Sequence, residues 1–195
     1  MARLRMARAE RYKQLLATSW ELVREEGTDA LTLGRLAERA GVTKPVVYSH
    51  FPSRPHLLTA LYGEYDSRQA AALEAAIAES DATLAGRAHA IAQSYVGCVL
   101  DQGPELTGIT AALEGSPELE LVKREAERAS VDRCRELLRP APGSAEVPVA
   151  TIIAIFGAAE ALSQAAASDS LSAEDAVSEL GELIVAVVAS LSGRG

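Results

Sequence analysis

Within twelve residues, TKPVVYSHFPSR, the chain gathers Thr43, Lys44, Pro45, Val46, Tyr48, Ser49, His50 and Arg54. Thr, Tyr, Ser and His supply hydrogen-bond donors, Lys and Arg neutralise phosphate charge, and Pro or Val can pack on a thymine methyl. These residue types suit contact with a duplex. Catalysis has much less to work with. Only three histidines occur, His50, His56 and His89, and there is no HExxH, ExxH pair, P-loop or GxSxG. Cys98 and Cys134 stand 36 positions apart, outside any zinc or CxxC spacing, and read as reduced thiols. We therefore expect no enzyme, metal or cofactor.

The elements that must hold this segment are helical. Aromatic residues make up 4% of the 195 residues, and Ala, Leu and Val dominate the 48% that are hydrophobic, so an all-α protein is expected. From Glu10 to Glu26 the residues Tyr12, Leu15, Leu16, Ser19, Trp20, Leu22 and Val23 recur with helical period, ended by Gly27. Thr32 caps a second helix with Leu33, Leu36, Ala37 and Ala40 on its buried face, and Gly41 stops it. Thr43 caps a third, about residues 44–50, with Pro45 tolerated in its first turn. Further helices are expected over about 54–79, 83–101, 104–114, 117–139, 148–168 and 172–192, which makes nine. Pro104 and Pro117 are read as helix starts, PAPGSAE (140–146) as a loop, and Ser172 as a cap.

Charge divides the chain the same way. The net charge is −8 with a pI near 5.0, which taken alone argues against a nucleic-acid binder. Residues 1–55 nevertheless carry ten basic and six acidic side chains, a balance of +4, while the rest balances at −12. A basic module joined to an acidic body is expected. The basic N-terminus leads into an amphipathic stretch and not an apolar run, so no signal peptide is read and a cytoplasmic protein is expected. Residues 147–167 and 180–191 are apolar but broken by Gly157, Glu160, Gly181 and Glu182, so no uninterrupted membrane span is expected.

Residues 33–52, LGRLAERAGVTKPVVYSHFP, have the pattern of a helix-turn-helix: Ala37 where the helices meet, Gly41 for the turn, and Leu36, Val42 and Val47 as the seam. Together with the preceding Glu-Glu-Gly and the following HLLTALY, the stretch from Glu10 to Tyr62 closely resembles the N-terminal DNA-binding domain of the TetR family of transcriptional regulators (TetR/AcrR type). Beyond residue 80 the resemblance is one of helix count and length. It implies a nine-helix TetR-like fold, with a DNA-binding domain over 1–53, including a flexible basic arm 1–8, and a ligand-binding and dimerisation domain over 54–195. It also implies that Thr43 caps the recognition helix and approaches a phosphate, that Lys44, Pro45 and Val46 stand at that helix's exposed start, and that Tyr48 and His50 touch the backbone. Arg54 would pair with a phosphate, and Thr32, Arg35 and Ser49 complete the DNA-facing set. Some members read a base from the position that Gly34 occupies, and glycine offers no such contact. For Tyr48 a core position, for Lys44 simple solvation, and for the arm either a minor groove or a disordered tail stand as alternatives.

The two final helices are rich in apolar residues, which over 180–191 surround most of the helix, so a second copy of the chain is the expected cover, in agreement with the resemblance; an intramolecular core alone is the alternative. The expected interface comprises Ile152, Ile155, Ala159, Leu162, Leu180, Ile184, Val187, Val188 and Leu191. A two-fold dimer would read a palindromic double-stranded DNA operator, with the helix from Arg54 as the mechanical link to a small-molecule effector. Effector candidates are His89, Gln93, Tyr95, Cys98, Glu114, Phe156 and Gln164. The function expected is a dimeric, ligand-responsive regulator, by default a repressor. The alternative is a TetR-like helical interaction protein with little DNA binding.

Overall fold

The computed structural model describes residues 7–113, 117–139 and 146–192. Among them the chain is all-helical, with α1 Arg8–Glu26, α2 Leu33–Arg39, α3 Lys44–Tyr48, α4 Arg54–Glu79, α5 Leu84–Leu113, α6 Pro117–Leu137, α7 Val149–Ala167 and α8 Ala173–Ser192. A single 3-10 turn, Thr28–Ala30, joins α1 to α2. Two boundaries correct the expectation. The helices anticipated over 83–101 and 104–114 are one helix, α5, which runs through Pro104. Proline removes one N–H and so one i to i−4 bond, and a helix of 30 residues absorbs that loss where its neighbours keep their own bonds. The nine elements are thus eight α-helices and one 3-10 turn. At the other end, α1 begins at Arg8, inside the expected arm, because the Glu10 carboxylate accepts the Ala7 N–H at 3.2 Å and closes the first turn. Residues 1–6, with Arg3 and Arg5, lie outside the described residues.

The chain forms two compact units. One comprises residues 1–65 and 104–123, the other residues 66–103 and 124–195, and the boundaries fall within α4, α5 and α6. The division expected at 53/54 therefore lies inside the first unit.

In the first unit, the stripe of α1 buries Leu15, Leu16, Trp20 and Leu22 against Leu36 of α2, Val47 of α3 and Leu57, Leu58 and Leu61 of α4. Ile109 of α5, fully buried, belongs to the same core. Burying one such side chain contributes about 1.5–3 kcal/mol, so this core is what holds a five-residue α3 that could not persist alone. Ser19 within it donates to the Leu15 carbonyl at 2.7 Å, and the Trp20 indole N–H donates to Glu64 at 2.8 Å.

In the second unit, α7 and α8 pack on one another and on α5. The buried set is Ile152, Ile155 and Ala159 from α7, Leu180, Ile184 and Val188 from α8, and Ala88, Ile91 and Val96 from α5. Ser172 caps α8 as expected, accepting the Asp175 N–H at 3.0 Å. Cys98 and Cys134 are free thiols. Burial raises both, Cys134 to about 11.

By length and composition alone α7 is long and apolar enough to cross a membrane, with a mean hydropathy of 1.6 over its best 18 residues. The expectation of no unbroken apolar run stands, and a helix packed in a core passes the same test of length and composition. Gly157 and Glu160 do break the run, but the fourteen Ala, Ile, Val, Phe and Leu side chains of α7 outweigh them in the average.

Candidate nucleic-acid interface

The turn between α2 and α3 depends on Gly41, whose φ of 64° lies in the left-handed region that a side chain disfavours. The Gly41 N–H donates to the Glu38 carbonyl at 3.2 Å and the Val42 N–H to the Ala37 carbonyl at 3.0 Å, so the end of α2 is satisfied within the turn. Thr32 caps α2, accepting the Arg35 N–H at 3.1 Å. Thr43 is the residue before α3, as expected, but its hydroxyl makes no cap bond.

Val47 is fully buried and pins α3 to the core, which turns Thr43, Lys44, Pro45, Tyr48 and Ser49 to solvent. Tyr48 is 51% exposed, which removes the core alternative for it. Val46 is half-buried, and Ser49 donates to the Val46 carbonyl at 2.7 Å. Lys44 crosses the bare face of Gly34: a side chain there would place its first carbon 3.6 Å from Lys44 Cε. His50 is half-buried, its ring 6.1 Å from Tyr12 and 6.3 Å from Phe51. Burial, followed by the charges of Arg8 and Arg11, holds His50 below the ordinary imidazole value.

Two expected DNA-facing arginines are engaged elsewhere. Arg35 donates to both oxygens of Glu26, at 2.6 and 3.1 Å, and pairs with Glu38 at 3.4 Å. Those bonds raise the arginine and, chiefly through the Arg35 hydrogen bond, lower Glu26. Arg39 pairs with Glu25 alongside. Arg54, expected at a phosphate, donates from Nε to the Leu31 carbonyl and from Nη2 to the Thr28 carbonyl, both at 2.8 Å. It closes the 3-10 turn, because carbonyls leaving a short turn need donors and α4 begins directly beneath them.

A census of the described cations in the first unit separates those already neutralised. Arg24, Arg35 and Arg39 face carboxylates, Arg24 through Glu105 at 3.1 Å. Arg8, Arg11, Lys13 and Lys44 have no ion pair with a carboxylate among the described residues; Arg11 is a functional candidate that sequence reasoning left out, and Arg8 entered it only as the end of the basic arm. Local spacing offered no signal that singles them out, since Arg24, Arg35 and Arg54 likewise have no acid at i+4.

The effector candidates do not converge as a set. His89, Gln93 and Gln164 are exposed, Cys98 is half-buried, and Glu114 lies outside the described residues. Two candidates, Tyr95 and Gln164, do meet through a residue that had not been singled out, Glu160, and a third, Phe156, joins them through Tyr95. Tyr95 Oη donates to Glu160 at 3.2 Å, Gln164 Nε2 donates to it at 3.0 Å, and Tyr95 stacks on Phe156 with ring centres 6.1 Å apart. A hollow of about 560 Å³ lies in the first unit, beside Arg24, Thr28, Asp29, Glu105 and Gly108, and none of the described candidates lines it.

The expected interface residues also need correction. Ile152, Ile155, Ala159, Leu180, Ile184 and Val188 are at most 2% exposed within a single chain. Leu162, Val187 and Leu191 are half-buried. Apolar residues surround these helices, so periodicity could not say which side meets the chain's own core. The solvent side carries Ile153, 59% exposed, and Leu183, 37% exposed, with Gly157, Ala161 and Ala186.

Comparison with known proteins agrees with this geometry. Residues 15–61, from α1 to α4, match the family model described as bacterial regulatory proteins, tetR family. Residues 15–61 therefore carry a TetR-type N-terminal segment. The TetR-type segment is 42% identical over 57 residues to the HTH-type transcriptional activator FasR of Mycolicibacterium smegmatis. It is 45% identical over 47 residues to the class C tetracycline repressor protein of Escherichia coli. These matches cover 29% and 24% of this chain but only 26% and 22% of those proteins, so about a quarter of each curated relative is spanned. The whole fold is similar to a solved TetR/AcrR-family transcriptional regulator from Thermobifida fusca, 25% identical, with a TM-score of 0.70 over 90% of this chain and 96% of the other.

Proposed function

We propose that this chain acts in the cytoplasm as a dimeric, ligand-responsive DNA-binding regulator of the TetR family, a repressor released from a palindromic operator by a small-molecule effector. The observation that carries the reading is α3. Its only fully buried side chain is Val47, and every other group of the TKPVVYS run faces outward or lies half-buried at the margin. A segment with Lys, Tyr and two hydroxyls exposed on a rigid two-helix platform matches what major-groove reading requires.

Thr43, Lys44, Pro45, Val46, Tyr48, Ser49 and His50 form the contact set, with Thr32 at the edge. Arg35 and Arg54 act behind it, as supports. For the dimer, the solvent faces of α7 and α8 around Ile153, Gly157, Ala161 and Leu183 replace the buried set, since small residues there allow close helix approach. For the effector, the Tyr95, Phe156, Glu160 and Gln164 group offers a ring face beside a carboxylate. One curated relative is an activator and the other a repressor, so repression rests on the simpler physics of occluding a promoter.

The test is selection of bound fragments from the source genome followed by a retardation assay with Lys44→Ala/Tyr48→Ala. The double variant should lose retardation of the selected fragment while sedimenting as the wild-type dimer. Undiminished retardation by that variant would refute the assignment of α3, and absence of any enriched palindrome would favour the interaction-protein reading.

A further inference from the structure

The acidic chain binds a polyanion, under the reading above, with four of the first unit's six described arginines already engaged. Arg24, Arg35 and Arg39 face carboxylates and Arg54 faces two carbonyls. Attraction to phosphate must come from cations not already paired; among the described residues these are Lys44 and, in the first two turns of α1, Arg8, Arg11 and the exposed Lys13.

Arg8 and Arg11 are three apart and therefore neighbours on the helix surface. Arg8 Nη2 lies 3.4 Å from the carbonyl of Ser49, the residue that ends α3. Arg11 has only the neutral Gln14 as a partner. The aromatic cluster of Tyr12, His50 and Phe51 holds this part of α1 against the end of α3, with Tyr12 and Phe51 ring centres 5.3 Å apart. The depression of His50 by both arginines agrees with that proximity.

Helix energetics adds a second strand of argument. The opening turn of a helix favours anions, by about 0.3–1 kcal/mol each, and cations there are opposed by the helix dipole. Glu10 meets that preference, whereas Arg8 and Arg11 go against it without any carboxylate to relieve them. A local choice that opposes the helix and leaves two unneutralised charges beside the reading helix needs an external anion to justify it.

We propose that Arg8 and Arg11 form a phosphate clamp on operator DNA, continuous with the recognition helix and anchored to it through Tyr12, His50 and Phe51. The clamp grips the sugar-phosphate strand flanking the bases that α3 meets, and contributes affinity without base preference. The inference rests on the DNA-binding reading of α3.

The experiment uses the full chain and a duplex of roughly 30 base pairs, about three helical turns, drawn from a random pool by the wild-type protein. Affinity is measured by fluorescence anisotropy between about 50 and 200 mM salt for wild type, Arg8→Gln/Arg11→Gln and Arg8→Lys/Arg11→Lys. Each phosphate contact contributes about 0.9 to the slope of log affinity against log salt, so with two protomers on the duplex, and hence four arginines removed, the Gln pair should flatten the slope by about 3.6. Over a fourfold salt range the wild type should then lose about 150-fold more affinity than the Gln variant. The Lys pair should keep the wild-type slope, and repeated selection with the Gln pair should return the same consensus. Circular dichroism checks that the variants keep their helix content, as expected for side chains outside the core. An unchanged slope in the Gln pair, with the wild type binding normally, overturns the clamp and leaves the α3 reading standing. A changed consensus also overturns it, by making the arginines base readers. A wild type that selects no duplex overturns the α3 reading and the clamp with it.

Discussion

Arg54→Ala separates two accounts of one residue. Family resemblance gives Arg54 a phosphate, whereas the structure commits its Nε and Nη2 to the carbonyls of Leu31 and Thr28 at 2.8 Å in a partly buried site. A hydrogen bond to a charged group contributes about 1.5–3 kcal/mol. Thr28 O keeps a second donor in the Leu31 N–H at 3.2 Å, so its loss is softened. The Leu31 carbonyl loses its described partner, and the Leu31 side chain beside it is fully buried. A net destabilisation of about 2 kcal/mol follows. For a chain of this size that corresponds to a fall in Tm of roughly 4–8 °C. Arg54→Lys should recover little of it, because an ammonium cannot serve two carbonyls in the planar fork that a guanidinium offers. Calorimetry or thermal circular dichroism reads the stability, and the salt slope of DNA affinity reads the phosphate role. Wild-type Tm in Arg54→Ala together with a slope reduced by about 1.8, one contact from each protomer, would refute the structural role and restore the phosphate contact.

Two more predictions concern the corrected surface and the aromatic anchor. Ile152→Ala should cost about 2–5 kcal/mol of stability in denaturant unfolding, since Ile152 is fully buried within one chain, whereas Ile153→Glu should leave the fold intact and shift sedimentation towards the monomer; the opposite pattern would return the interface to the buried set. His50 should titrate below about 6.5 by NMR, so its stabilising contribution is present above that value and lost as pH falls through the folded-state value. In Arg8→Gln/Arg11→Gln the midpoint should rise yet stay below the ordinary value, because burial is the larger cause; a midpoint that does not move would place the arginines away from the ring.

Much of the helix-turn-helix is legible in residue order, because its determinants are local. Gly41 needs a left-handed φ, Thr32 needs a free N–H two or three residues ahead, and Leu36 and Val47 need a face to bury; each requirement acts over a few residues. Breaks are less legible. Pro104 signals a helix start by its chemistry, yet α5 continues through it, since helix persistence depends on what packs along all 30 residues.

By itself, then, the sequence determines the helical class, the positions of the reading segment and the split between a basic head and an acidic body, all from short-range propensity and composition. The tertiary structure alone decides which cations remain free and which apolar faces remain open. Arg35 and Arg54 look like Arg8 and Arg11 in the sequence; they differ only because Glu26 and two loop carbonyls fold up beside them. Ile152 and Ile153 are adjacent and chemically identical, and one is fully buried while the other is 59% exposed because a helix turns 100° per residue against a neighbour that only folding supplies.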